Sequence, residues 1–154
     1  MTRITGDHAV ELFDANHNCA EAVMRALTIA WGLEIPFAVA TAFGGGMARS
    51  GRTCGALTGA LMALGARVGR QPTDQEGRDL VYKLAWELMD SFQATHGNTG
   101  CLELTGCLLA DAGGHRRFVE DGIRQRICRG LVRYAAEKAG HLYQQHQTSA
   151  RGLS

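Results

Sequence analysis

Apolar residues recur every three or four positions along most of the chain, and this spacing predicts α-helices. The predicted helices cover about residues 5–15, 18–31, 54–68, 74–96 and 116–139, with a short helix after Pro36 and one short turn within 101–109. No segment alternates apolar and polar residues over the length that a strand needs. The pattern therefore predicts an all-α fold, a single-domain helical bundle of about five helices with a glycine-rich loop before a core helix.

Polar residues mark where two of these helices begin. Asn18 stands directly before an apolar periodic run and is a favourable N-cap residue, because its side-chain oxygen can accept a hydrogen bond from the first turn. Thr73, with Glu76 three residues later, has the pattern of a capping box. These signals set the start of the second helix and of the helix that ends near His96.

The chain has 154 residues, which is enough for one domain with a substantial core and too few for two. We predict that residues 1–140 form one helical domain, which contains all five cysteines. Residues 141–154 are mostly polar, and we predict that they form a flexible polar tail.

Charge and hydrophobicity are those of an ordinary globular protein. The net charge is +1, with 20% charged and 45% hydrophobic residues, which gives no support to nucleic-acid or membrane binding. The longest uncharged run, residues 53–66, has 14 residues and is too short to span a bilayer. The N-terminal segment is charged where a signal peptide would be apolar, so we expect a cytoplasmic location.

The cysteines carry the candidate chemistry, because a reducing compartment favours metal, cluster or redox use of thiols over structural disulfides. Helical spacing places Cys19, Cys54 and Cys128 on the apolar faces of three different helices. Cys101 follows a turn-like run of glycine and asparagine and can supply a fourth thiol from a loop. Burial for packing alone remains an alternative for each of them, and it is our interpretation of Cys107.

A glycine-rich stretch, FGGGMARSGRTCG, leads directly into Cys54. Buried thiolates or a sulfide-bearing cluster carry negative charge, which backbone N–H groups in a turn or at a helix start can offset. Glycine permits the close approach and the positive φ angles that such a turn requires. The candidate residues for this backbone site are Gly44, Gly45, Gly46, Gly51, Thr53 and Gly55.

A second role for glycine follows Cys54. Gly55, Gly59 and Ala63 repeat every four residues and form a small-residue face that allows another helix to come close. We expect this small-residue face to be exposed and to favour a homodimer.

Several of these segments together resemble a known family. FDANHNCAEAV, AFGGGMARSGRTCGALTGALMALG, CLELTG and CRGLVRYAAE are similar to the redox-active proteins named for their C, GCAxxG, C and C pattern, over about residues 13–137. The resemblance places the family's four cysteines on Cys19, Cys54, Cys101 and Cys128 and leaves Cys107 outside the pattern. Asn16 and Ala48 stand where the family usually has glycine, and asparagine tolerates the left-handed conformation well.

The chain also looks similar to the non-haem part of split-Soret cytochromes c, for which a four-cysteine iron–sulfur centre has been proposed. The resemblance further implies a link to transporters. The sequence has no C-x-x-C-H motif, so covalent haem is not implied.

An iron–sulfur cluster requires four thiolates, hydrogen bonds to sulfur and partial shielding from water, and we predict a [2Fe–2S] cluster for electron transfer or redox sensing. The four cysteines are 35, 47 and 27 residues apart, so folded helices must bring them together. Structural zinc uses the same ligands in closely spaced pairs, which the sequence lacks. A dithiol/disulfide function remains open, because Cys54 at a helix start is expected to have a lowered pKa. A sulfur-handling module without a cluster, serving a transporter, also remains open.

Positive charge is concentrated around Cys128. The six arginines are Arg116, Arg117, Arg124, Arg126, Arg129 and Arg133. They form a solvated basic face, a docking surface for an acidic redox partner, or a charge that offsets a cluster. His17 and His96, near Cys19 and Cys101 in sequence, are either ligands or proton relays, or ordinary cap and surface residues.

Overall fold

A computed structural model describes residues 2–152 of the chain, and these residues are mainly helical. The α-helices are α1 (Thr2–Asp14), α2 (Cys19–Ala30), α3 (Gly55–Val68), α4 (Gln75–His96), α5 (Cys101–Thr105), α6 (Ala112–Glu120) and α7 (Arg129–Gly152). A 3₁₀-helical segment spans Phe37–Phe43, and a π-helical segment, Arg124–Cys128, runs directly into α7. Within residues 2–152 the only extended pairing is an isolated antiparallel bridge between Thr53 and Gly100. The all-α prediction is confirmed.

The described residues contain more helices than the sequence predicted, because the C-terminal third is divided. We predicted a loop at 111–114 and one helix over 116–139. Instead α6 begins at Ala112, where the Asp111 side chain caps it. It ends before Gly122, whose φ of +61° lies outside the right-handed helical region. The last predicted helix is therefore two helices with a sharp break between them.

The C-terminal residues pack onto the bundle. Residues 141–152, predicted as part of a flexible polar tail, continue α7 as helix to Gly152. Leu142 and Tyr143 are buried, and the Tyr143 ring centroid lies 5.0 Å from that of Trp31. The predicted helix end near residue 139 is wrong, because these side chains extend the inward face of α7.

The hydrophobic core is built mainly by α1, α2, α3 and α7, with α1 packed along α7 and α2 along α3. Its buried side chains include Phe13 from α1, Val23 and Leu27 from α2, Leu57 from α3 and Val132 from α7. The core places the N-termini of α2 and α3 side by side, next to the start of α7.

The small-residue face of α3 sets the distance between α2 and α3. A Cβ atom built on Gly59 would lie 2.4 Å from the carbonyl oxygen of Ala20, so the helices touch at this point. Gly55 and Ala63 are buried as well. The predicted close approach is confirmed, but the partner helix belongs to the same chain. The face is therefore not exposed and does not support a homodimer, which stays a prediction.

None of the helices within residues 2–152 has both the length and the apolar character needed to cross a membrane.

Candidate functional site

The four cysteines of the sequence pattern line one cavity of about 580 Å³. They are Cys19, Cys54, Cys101 and Cys128, and none of them is in a disulfide. Cys107 is buried but does not line the cavity. Sulfurs that are separated by 35, 47 and 27 residues in sequence thus face one space in the fold. Their role as metal ligands stays a prediction.

Cys19 is the first residue of α2, and a capping box fixes its position. The Asn18 side chain accepts a hydrogen bond from the backbone N–H of Glu21 (2.9 Å), and the Glu21 carboxylate accepts one from the Asn18 N–H (3.0 Å). Asn16, two residues earlier, adopts a left-handed φ of +76° and turns the chain away from α1. The N-cap predicted at Asn18 and the left-handed tolerance expected of Asn16 are both confirmed.

Cys54 and Cys101 are brought together by backbone pairing between two extended segments. The Cys54 N–H donates to the carbonyl oxygen of Thr99 (2.8 Å), and the Cys101 N–H donates to that of Arg52 (2.7 Å). Each cysteine then meets a helix, since Cys54 is the N-cap residue of α3 and Cys101 is the first residue of α5. One isolated bridge therefore aligns two helix starts and their thiols.

Cys128 ends the π-helical segment Arg124–Cys128 that precedes α7. A π-helical turn holds one more residue than an α-helical turn, so it rotates the side chains that follow it, and such turns are frequent at functional sites. Here the turn places both Arg124 and Cys128 on the cavity.

The glycine-rich stretch before Cys54 forms a left-handed turn. Five consecutive residues, Gly45 to Arg49, have φ angles of 65°, 70°, 66°, 51° and 65°. Three of them are not glycine, and each left-handed non-glycine residue costs about 1–2 kcal/mol. Strain of this kind persists where the surrounding structure fixes it and is concentrated at functional sites. Ala48 is left-handed despite its side chain.

The predicted backbone site is only partly at the cavity. Gly44, Gly45 and Gly55 line it, whereas Gly46, Gly51 and Thr53 do not. Those three residues shape the loop instead. A Cβ on Gly46 would lie 2.6 Å from the Arg52 backbone, a Cβ on Gly51 would lie 3.0 Å from Leu102, and Thr53 forms the bridge.

Backbone N–H groups near two of the thiols act against burial. Gly45, in the left-handed turn, lowers the pKa of Cys19. Ala56 and Leu57, in the first turn of α3, lower the pKa of Cys54, although the Cys54 side chain makes no capping hydrogen bond. Backbone N–H groups placed in this way favour the thiolate form.

Burial nevertheless dominates and raises the pKa of all four thiols. It raises the pKa of Cys101 to about 11 and that of Cys128 to about 12, and it raises those of Cys19 and Cys54 as well. Repulsion from the Cys19 thiolate is the next cause for the other three. The lowered pKa expected for Cys54 is wrong, because the cost of desolvating its charge exceeds what the helix start contributes.

These shifts predict low thiol reactivity in the metal-free protein. With its pKa raised from 9.0 to about 11, Cys101 has about 100-fold less thiolate at pH 8 than an ordinary cysteine, so alkylation by iodoacetamide should be at least that much slower. The rate should keep rising above pH 9. The matched control is the same protein in guanidinium chloride, where all five thiols should react normally. Labelling of folded Cys101 at the denatured rate at pH 8 would contradict the expectation.

Two arginines, Arg49 and Arg124, supply charged side chains to the lining of the cavity, and His115 lines it as well. Within residues 2–152 no Asp or Glu side chain lines it. Four of the other five arginines near Cys128 have separate partners outside the cavity. Arg129 pairs with Asp14 (2.8 Å), Arg133 pairs with Asp7, Arg117 donates to the Gly106 carbonyl (3.4 Å), and Arg126 donates to the Asp121 carbonyl (3.1 Å). Most of the predicted basic face is therefore engaged within the chain.

Of the two alternatives that the sequence left open for His17 and His96, the structure does not support the role of a ligand at the cavity. His17 does not line the cavity, and its ring nitrogens contact the Leu12 carbonyl (3.0 Å) and Arg25 (2.9 Å). His96 packs against Phe92 and Tyr134, away from the cavity. Neither is placed as a ligand.

Sequence reasoning missed several polar residues at the cavity, among them His115 and Thr105. His115 lies in α6, whose start at Ala112 the sequence did not predict. The hydrogen bond of the Thr105 side chain lowers the pKa of Cys101, although burial outweighs it. The spacing of Thr105, four residues after Cys101 in a short helix, is the signal that points to it.

The thiols surround the cavity without converging on one point. Among the side chains of residues 2–152, no three of His, Cys, Asp or Glu are grouped closely enough to hold a metal ion. Any group bound by all four sulfurs must therefore fill the space between them or draw them inward.

Comparison with known proteins identifies the family. The family model described as "Putative redox-active protein (C_GCAxxG_C_C)" matches residues 17–142 and so includes all four cavity cysteines. No curated protein matches the chain, and no solved structure matches it. Because the match covers most of the sequence, the chain belongs to the C_GCAxxG_C_C family of redox-active proteins.

Proposed function

We propose that the cavity of Cys19, Cys54, Cys101 and Cys128 binds a [2Fe–2S] cluster and that the protein serves electron transfer or redox sensing. The observation that carries the proposal is that four thiols from four separate segments line one cavity of about 580 Å³. Four cysteine sulfurs are the complete ligand set of such a cluster. When bound, the cluster supplies one-electron chemistry, and the chain supplies its ligands, hydrogen bonds and shielding.

The spread of the thiols favours a cluster over a single zinc ion. Structural zinc needs four sulfurs at about 2.3 Å from one centre. Within the described residues no three candidate ligands are grouped in this way, and the sulfurs are arranged around a cavity. A polynuclear core holds its ligands around a larger body, which suits this arrangement better.

The raised pKa values favour a cluster over a dithiol/disulfide couple. A disulfide couple needs one thiol that ionises readily near neutral pH. Burial raises the pKa of all four cavity thiols, and no Cys-x-x-Cys pair is present in the sequence. Iron offsets the charge of thiolates that are costly to ionise alone, and its binding releases their protons.

Several residues are placed to support a bound cluster. The backbone N–H groups of Gly45, Ala56 and Leu57 lower the pKa values of Cys19 and Cys54 against the larger effect of burial, and polar groups around the ligands tune metal sites. Leu104 and Leu131 line the same cavity and limit the access of water to it. The protein thus holds polar support and apolar shielding on different walls of one site.

Anaerobic reconstitution with ferrous iron and sulfide tests the proposal. The expected product is brown, absorbs visible light, contains about two iron and two sulfide per chain, and gains an electron paramagnetic resonance signal on one-electron reduction. The control is the same chain with its cysteines alkylated in denaturant and then refolded. Colourless protein that retains free thiols, or stoichiometric zinc binding without iron binding, would contradict the proposal.

A further inference from the structure

We propose that Arg124 sets the redox potential of the cysteine site, as a fixed positive charge that stabilises the reduced state. The inference rests on the proposed cluster and adds a role that the cysteine pattern does not contain. It assigns one function to a single arginine among the six around Cys128.

Arg124 is held by the end of α1 and the turn after it. Its Nη2 donates to the carbonyl oxygens of Phe13 (2.5 Å) and His17 (3.0 Å), at the end of α1 and just beyond it. Its guanidinium carbon lies 3.6 Å from the centroid of the Phe13 ring, a cation–π contact. The planar guanidinium suits such a position, because its N–H donors are held in a rigid arrangement and its face can stack on an aromatic ring.

Arg124 shares the cavity with the four thiols. Arg124 and Phe13 both line the cavity with the four cysteines, and the charge of Arg124 acts on Cys19 and Cys128 by lowering their pKa values against the larger effect of burial. Arg124 therefore interacts electrostatically with cysteines from two different helical segments.

Neighbouring carboxylates offset this effect only in part. Asp14 interacts electrostatically with Arg124, but its two oxygens are engaged by Arg129 at 2.8–3.1 Å. Glu103 acts on Cys101. Among residues 2–152 no Asp or Glu side chain lines the cavity. Arg49 also lines it, but it is exposed, and within residues 2–152 it has no ion pair or side-chain hydrogen bond to hold it. Arg124 is thus the anchored charge of the site.

The positive charge of Arg124 affects the redox potential because reduction changes the charge of the site. One electron from an external reductant adds one negative charge to the site, and no bond needs to form or break. A positive charge fixed in a partly buried setting stabilises the more negative state and is screened less by salt than an exposed charge. Charge and hydrogen bonding near the ligands are recognised determinants of metal-site potential.

Arg124→Gln and Arg126→Gln form a matched pair for the test. Arg126 lies in the same π-helical segment, donates to a backbone carbonyl and is exposed outside the cavity. Each full-length chain is reconstituted anaerobically, its iron and sulfide are measured, and its midpoint potential is determined by dithionite titration. We expect R124Q to lower the equilibrium constant for reduction at least tenfold, or 59 mV for one electron. R126Q should change it less than threefold.

Arg124→Lys separates charge from packing. Lysine keeps the positive charge but loses the planar fork, so its potential should stay within threefold of wild type. An unchanged potential in R124Q, or a tenfold shift in both R124Q and R124K, would overturn the inference. If R124Q does not load iron, Arg124→Met, which also removes the charge, is reconstituted and judged by the same outcomes. Wild-type chain that binds no iron would refute the proposed cluster, which is a separate result from a loaded protein with an unshifted potential.

Discussion

Replacing Cys54 by serine is expected to reduce bound iron to less than about a tenth of the wild-type content after reconstitution. Cys54 interacts electrostatically with two of the other cavity thiols, because Cys19 and Cys101 both raise its pKa. It also lies at the N-cap of α3, where the backbone N–H groups of Ala56 and Leu57 favour its thiolate form. A serine hydroxyl does not ionise to supply the soft anionic ligand that iron–sulfur clusters use.

Cys107→Ser is the matched control for this substitution. Cys107 is buried to the same degree as Cys54, with 4% and 5% of its surface exposed, but it does not line the cavity. Iron content should therefore be unchanged in C107S. Urea unfolding of both metal-free variants shows whether each still folds. Full iron content in C54S would remove Cys54 from the ligand set, and an equal loss in C107S would trace the effect to folding.

The inward direction of three cysteines could be predicted from local pattern. Cys19, Cys54 and Cys128 share helical phase with apolar residues, and side chains on one helical face point the same way. The position of Cys101 could not be predicted in this way. The position of Cys101 depends on the backbone bridge between Thr53 and Gly100, which are 47 residues apart in sequence. Pairing between such distant residues leaves no signature in the local sequence.

The roles of the arginines around Cys128 also could not be predicted from the local sequence. Six of them surround Cys128 in sequence, and nothing local distinguishes Arg124 from Arg126. Their partners decide their roles, and those partners are distant: Arg124 bonds to Phe13, 111 residues away, and Arg129 bonds to Asp14, 115 residues away. Of the six arginines, the structure thus places Arg124 at the cavity and engages four others in contacts elsewhere within the chain.

The loop predicted around Gly113 and Gly114 is wrong, because both residues lie in α6. A Cβ on Gly114 would lie 2.1 Å from the Leu108 carbonyl oxygen, so this position needs glycine for space. Residues 47–49 adopt the left-handed conformation although none of them is glycine, so their residue types do not predict it.

The close contact between α2 and α3 leads to the second large effect, a loss of about 3 kcal/mol of unfolding free energy in Gly59→Ala. The added methyl would lie 2.4 Å from the Ala20 carbonyl oxygen and 3.0 Å from its Cα. Those atoms are backbone, so no side-chain rotation relieves the clash and α2 must move away from α3. Overpacking of this kind typically costs about 1–3 kcal/mol, and a backbone obstacle places Gly59 at the upper end.

Gly65→Ala in the same helix isolates this effect from helix propensity. A Cβ on Gly65 meets nothing within 4 Å, so alanine there should stabilise α3 by about 0.5–1 kcal/mol. Urea unfolding followed by circular dichroism gives both free energies, with an unchanged m-value showing that the unfolded states are comparable. The two alanine variants should therefore shift in opposite directions. A Gly59→Ala protein as stable as Gly65→Ala would mean that α2 and α3 have room to separate, and the cavity that their N-termini build would then lack the rigid support on which its four thiols depend.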